Sequence, residues 1–260
     1  MLYLLSPAKT LDYATPIRAT VLKRATEPLF SARAAELMER LAPLSSAEVA
    51  GLMDLSDELA VLNVARYRAW SAQATPANSR PAVLAFDGDV YGGLQASTLR
   101  PADLDWAQQH LLILSGLYGV LRPMDRLQPY RLEMGTRLVN AKGADLYAYW
   151  GDTLAEHLNQ RQLKEGAPVV VNLASQEYFR VVRRRALRAR VVDCVFEDWH
   201  SAEFKVISFF AKRARGLMAR WAVKERVKSV KKLERFEAEG YAFERSASSR
   251  DRLCFRRRLG

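Results

Sequence analysis

The chain offers little to redox, metal or membrane chemistry. Its 260 residues include only two cysteines, Cys194 and Cys254, both flanked by apolar neighbours. With no export signal they read as reduced buried thiols rather than a disulfide. The three histidines, His110, His157 and His200, stand outside any triad context. His200 lies among Asp193, Glu197, Asp198 and Glu203, which reads as a solvated turn before it reads as a cation site. No Walker, G-x-S-x-G, H-E-x-x-H or dinucleotide fingerprint is present. No thiolate set or two-His-one-carboxylate pattern occurs either, so neither a metal nor a cofactor is expected. No apolar run approaches the roughly 20 residues that cross a bilayer, so no membrane partner is expected. Met1–Leu5 lacks a basic n-region and is cut off by Ser6-Pro7, which excludes a signal peptide and points to the cytoplasm. Long linkers, repeats and low-complexity tracts are missing, and Thr75–Pro81 reads as a loop. One domain over 1–260 is expected, near the upper size for a single core.

What the chain has is positive charge, unevenly placed. It carries 40 Lys+Arg against 29 Asp+Glu, a net +11. Residues 1–176 hold 17 bases and 18 acids, a balance of −1; residues 177–260 hold 23 and 11, a balance of +12. Such segregation points the basic C-terminal part, 177–260, towards a polyanion, with nucleic acid ahead of an anionic membrane.

Short apolar runs bounded by turn residues predict strands at Leu2–Leu5, Ala82–Phe86, Leu111–Leu114, Val169–Leu173, Val191–Phe196 and Lys205–Phe210. Shorter ones are expected at Tyr241–Glu244 and Leu253–Arg256. Helical periodicity marks Pro28–Leu41, Ser46–Met53, Asp57–Ser71, Asp145–Leu163 and Ala211–Phe236. Ser46, three residues before Val49, makes no capping box, whereas Asp57 can cap its helix. The loose alternation predicts an α/β (α+β) chain with a mixed sheet flanked by helices, without regular doubly wound order.

Polar residues cluster where strands end, as ligand sites do in α/β sheets. The densest stretch is Leu111–Thr136, where Leu111–Leu114 runs into Ser115-Gly116-Leu117-Tyr118-Gly119. Arg122, Asp125, Tyr130, Arg131 and Glu133 follow, with Pro123 and Pro129 fixing the backbone between them. Ser6-Pro7-Ala8-Lys9-Thr10 puts a lysine beside hydroxyls, suited to phosphate or carboxylate, without the glycines of a P-loop. Asp87 and Asp89 alternate with glycine and read as a turn, or as ligands for Mg²⁺ or Ca²⁺. Ser175, Glu177 and Tyr178 close another strand. The candidate pocket is therefore Lys9, Asp89, Tyr91, Ser115, Arg122, Asp125, Arg131, Glu133, Ser175 and Glu177. In it Lys9, Arg122 and Arg131 would hold a small anionic ligand, and Asp89, Tyr91 or Glu133 would supply acid–base function.

The basic segments are Arg180–Arg190, Lys212–Lys232 and Arg256–Arg258. Arg220, Lys224 and Lys228 recur at i, i+4 spacing, a cationic stripe opposite Leu217, Met218 and Trp221. The phosphate-contact candidates are Arg183, Arg184, Arg185, Lys212, Arg213, Arg215, Arg220, Lys224 and Lys228.

SPAKTL at Ser6–Leu11, GDVY at Gly88–Tyr91, ILSGLYGVLRP at Ile113–Pro123, PYRLEMG at Pro129–Gly135, NLAS at Asn172–Ser175 and ARGLM at Ala214–Met218 occur in this order. On these motifs the chain resembles the YaaA-type peroxide stress resistance family over essentially its whole length. The resemblance implies a role in the response to hydrogen peroxide that limits unincorporated iron and oxidative damage. It also implies double-stranded DNA as partner and an unusual α/β fold with a helix-hairpin-helix element and a positively charged cleft. It brings no established reaction or cofactor. The best match to the helical hairpin is 46–67, but Asp54-Leu55-Ser56 fills the turn where glycines would serve phosphate. The residues thus point to two functions: duplex DNA binding by the basic part, or an enzyme or small-ligand protein acting on a nucleotide-like or anionic substrate in the strand-end pocket.

Overall fold

Leu2–Leu5 and Leu111–Ser115 are buried along their whole length, as strands covered on both faces must be. They are the middle of an eight-stranded mixed sheet in a computed structural model that describes residues 1–258. Its strands are β1 (Leu2–Leu5), β2 (Leu111–Ser115), β3 (Gly119–Leu121), β4 (Val169–Leu173), β5 (Arg190–His200), β6 (Glu203–Lys205), β7 (Ala242–Phe243) and β8 (Arg252–Arg257). The order is β7-β8-β5-β4-β1-β2-β3, with β6 paired to β5. Strands β8, β5, β4, β1 and β2 are mutually parallel; β7, β6 and β3 add antiparallel. The principal helices are α1 (Ser31–Leu41), α2 (Ser46–Met53), α3 (Asp57–Ala69), α4 (Asp89–Leu94), α5 (Pro101–His110), α6 (Thr153–Arg161), α7 (Gln176–Phe179) and α8 (Ser208–Lys224). The fold is α/β with a mixed central sheet flanked by helices, and its buried apolar side chains form one cluster.

Local chemistry explains where elements depart from the periodic pattern. Ala82–Ala85 is a helical turn, not a strand, because Ala82 and Val83 donate to the Asp125 and Pro123 carbonyls. Only Phe86–Asp87 is extended, paired with Thr10–Leu11. The expected strand Lys205–Phe210 splits: β6 ends at Lys205 and α8 begins at Ser208. The expected helix Ala211–Phe236 breaks at Arg226, which is left-handed (φ 53). There Val227 N donates to Ala222 O and Arg226 N to Val223 O, the Schellman pattern that stops a helix. A short helix, Val230–Leu233, follows. Gly151, also at positive φ, divides Asp145–Leu163 into Leu146–Trp150 and α6. Asp89–Leu94 is a helix rather than a turn.

Helices α2 and α3 form a helical pair joined by Asp54-Leu55-Ser56. A capping box does open α2, from Ser45 and Glu48, one residue before the serine considered in the sequence. Ser56, not Asp57, caps α3. Asp54 takes the left-handed position (φ 51) and Leu55 N donates to Ala50 O. No glycine serves the turn, and Asp54, Asp57 and Glu58 surround it with negative charge.

Helix α8 is seated on α4 so closely that Gly93 and Gly216 leave no room for a Cβ. A Cβ on Gly93 would lie 2.2 Å from the Arg213 carbonyl oxygen. This contact fixes the turn of α8 that carries Lys212 and Arg215.

Candidate functional site

Because β1, β2 and β4 are parallel, their carboxyl ends deliver Ser6, Ser115 and Ser175 to one edge. Ser6 Oγ accepts from Ser175 N at 2.8 Å, and Tyr91 OH donates to the Ser6 carbonyl at 3.0 Å. Beside them Lys9 Nζ meets Glu133 Oε2 at 2.9 Å, and Arg131 Nη2 meets Glu133 Oε1 at 3.0 Å. Glu177 Oε1 accepts from Gly135 N at 3.0 Å. Glu133 and Glu177 line a shallow recess with Asp54. Lys9, Arg131, Glu133, Ser175, Glu177 and Tyr91 are thus neighbours through Ser6 and the 131–135 loop.

The rest of the expected pocket is elsewhere. Ser115 is fully buried; its Oγ pairs with Tyr130 OH at 2.6 Å and accepts from Tyr118 N. Arg122 and buried Asp125 meet at 2.7 Å and tie down Thr26 and the Glu27 carbonyl. Burial raises the Asp125 carboxyl above its ordinary range, partly offset by its bonds to Arg122 and Thr26. That pair holds the loop rather than facing a ligand. Asp89 opens α4; the Arg213 guanidinium is kept charged first by its hydrogen bonds to Glu239 and least by Asp89.

The basic part divides similarly. Arg183 is paired with Asp152 at 3.4 Å, and Arg213 is held two-pronged by Glu239. Arg220 is spent on the end of α4, donating to Leu94 O, Gln95 O and Thr98 Oγ1 at 2.9–3.0 Å. The Arg220–Lys224–Lys228 stripe does not exist, because α8 ends at Lys224. Arg190, Arg252, Arg256 and Arg257 are also paired with acids. Among the described residues, Arg184, Arg185, Lys212, Lys224 and Lys228 are exposed without an acidic partner. The expected continuous cationic face is therefore broken by acids mostly from the tail itself.

Two of the unpaired cations, Arg184 and Lys212, share one concavity with Arg180 and Arg215, whereas Arg185, Lys224 and Lys228 do not line it. It measures about 900 Å³ and lies between β4–β5 and α8. Arg180, absent from the sequence-derived set, lies over the Tyr147 ring at 4.5 Å. Ser175 and Glu177 join the same wall, linking it to the strand-end cluster. Asp193 lines the same concavity, its Oδ1 accepting from Asn172 Nδ2 at 2.8 Å. Sequence spacing links none of the six clustered residues to these cations. The partners are separated by long stretches of chain, and only the parallel sheet brings them together.

Neither thiol is set up to meet peroxide. Burial pushes the Cys194 thiol far up, and burial together with Glu197 pushes Cys254 up to about 11. A thiolate, the reactive form, is thereby disfavoured at both positions. Among the described residues no group of three or more His, Cys, Asp or Glu stands close enough to hold a metal ion. No helix there is long and apolar enough to cross a membrane.

The family model described as peroxide stress protein YaaA matches residues 1–247. Similar curated relatives carry the name UPF0246 protein. One from Leptothrix cholodnii is 64% identical over 257 residues, covering 99% of this chain and 98% of the relative. One from Variovorax paradoxus is 59% identical over 263 residues and one from Polaromonas naphthalenivorans 59% over 260, each covering 100% of both chains.

Proposed function

We propose, for a chain that belongs to the peroxide stress protein YaaA family, that its part in the peroxide response is to bind double-stranded DNA in the cytoplasm. The observation that carries this reading is the set of unpaired cations on both walls of the 900 Å³ concavity. Arg180, Arg184 and neighbouring Arg185 stand on one side and Lys212 on the other. Such cations take backbone phosphates and release counterions, giving affinity that is largely blind to sequence. The α2–α3 hairpin contributes little in this account, since its turn presents Asp54 and lies beside Asp57 and Glu58. Limitation of free iron follows indirectly from the response rather than from a metal held by this chain. A duplex titration across salt concentrations tests the reading: affinity falls steeply with salt if phosphate contacts carry it, and stays flat if they do not.

A further inference from the structure

Arg215 sits in an arrangement that the rest of the chain does not explain. It lines the concavity from α8, is partly buried, and among the described residues makes no hydrogen bond and no ion pair. Its Nε is enclosed without any partner. Burial weakens this guanidinium's hold on its proton; buried Arg257, whose Nη2 also lacks a partner, at least has an acid, Asp198, at 2.6 Å, and Arg215 has none. A cation taken out of water without an acceptor is costly, and buried polar groups are normally satisfied. An anion entering the concavity would supply an acceptor for this guanidinium.

The walls narrow its chemistry. Lys212 and Arg184 flank Arg215 without acidic partners, so the anion is multiply charged, as a phosphomonoester is. The lining is not built for phosphate alone. Asp193 presents a carboxylate oriented by Asn172, and Glu177 presents another. Carboxylates repel a polyphosphate backbone but accept hydrogen bonds from sugar hydroxyls or an amino group. Val206, 52% exposed, and Val195 on the same face of β5 as Asp193 add an apolar wall for a flat ring. About 900 Å³ suits a ligand of nucleotide size. We propose that this concavity binds a nucleoside phosphomonoester, with the phosphate on Arg215, Lys212 and Arg184 and the nucleoside against Asp193 and Val206. The ligand is either a free mononucleotide or the phosphorylated end of a strand. This goes beyond duplex binding, which needs only the rim cations.

Titration calorimetry of the full chain with adenosine 5′-monophosphate, adenosine and inorganic phosphate tests it. The monophosphate is expected to bind saturably, and adenosine and inorganic phosphate each at least about tenfold more weakly. Arg215→Met is expected to weaken the monophosphate at least about tenfold, and exposed Lys212→Ala, which leaves the packing untouched, also to weaken it. Absence of saturable binding, or binding indifferent to both substitutions, overturns the inference. Inorganic phosphate binding as tightly as the nucleotide also overturns it, leaving an unspecific anion hole. A duplex with a 5′-phosphate that competes where its dephosphorylated twin does not supports the strand end as source; competition by neither supports the free nucleotide. Duplex affinity measured on the same protein keeps the two readings separate: duplex binding without nucleotide binding sinks only this inference, and the reverse sinks only the duplex reading.

Discussion

Gly216 of α8 lies directly against the Val90 carbonyl of α4: a Cβ at Gly216 would stand 1.8 Å from that oxygen. The two helices therefore pack backbone to backbone, and the cationic turn of α8 inherits its position from this contact. Gly216→Ala forces the helices apart. The expected cost is about 1–3 kcal/mol or more of stability, with nucleic-acid affinity reduced in whatever remains folded. A denaturant titration checks the first effect; a variant as stable as the native chain contradicts the packing.

Arg215→Met is expected to do the opposite. It replaces a partly buried, unpartnered guanidinium by an apolar chain of similar length. The ligand-free variant gains about 1–3 kcal/mol, read as a higher melting temperature. A clear loss of stability means that Arg215 is already satisfied in the free protein.

Asp103, fully buried at the start of α5, bonds both Arg100 and Arg226, the left-handed residue just beyond α8. The Arg100 bond, followed by its other hydrogen bonds, lowers its carboxyl to about 2 against an ordinary 3.8. The unfolded chain then binds more protons between these values. Stability from this group is complete above about pH 4 and is lost as pH falls towards 2, amounting to about 2 kcal/mol. Asp103→Asn should flatten that part of the stability–pH curve; an unchanged acid limb removes Asp103 as its source.

Cys194 and Cys254 are expected to resist alkylation in the native chain at neutral pH and to react on unfolding. Both are buried, with thiols held protonated. Rapid native labelling, or sulfenate formation at low peroxide, would place thiol chemistry back in the function.

Much of the frame is legible in the residues. LYLL, LLIL and VVV announce buried parallel strands because these runs are almost wholly apolar, and Ser6, Ser115 and Ser175 mark where the strands end. Helix α5 is not legible by pattern, since Leu104, Trp106 and Ala107 give a weak stripe; Pro101 at its first position and Asp103 at its third were the available signal. The charge bias towards the tail is legible, but its fate is not. Arg183 finds Asp152 and Arg220 finds the carbonyl end of α4, partners far away in the chain. Arg215 looks like any other base in its run, and only folding leaves it alone in a cleft.

The account rests most heavily on the rim cations, so the decisive measurement is duplex affinity against salt for the native chain and for Arg184→Glu combined with Lys212→Glu. Both residues are exposed and unpaired, so the variant is expected to fold. The native log–log slope should be about −3 to −4 for four phosphate contacts, and the variant's shallower by about 2 with weaker binding throughout. Equal slopes and affinities for the two proteins would contradict the account.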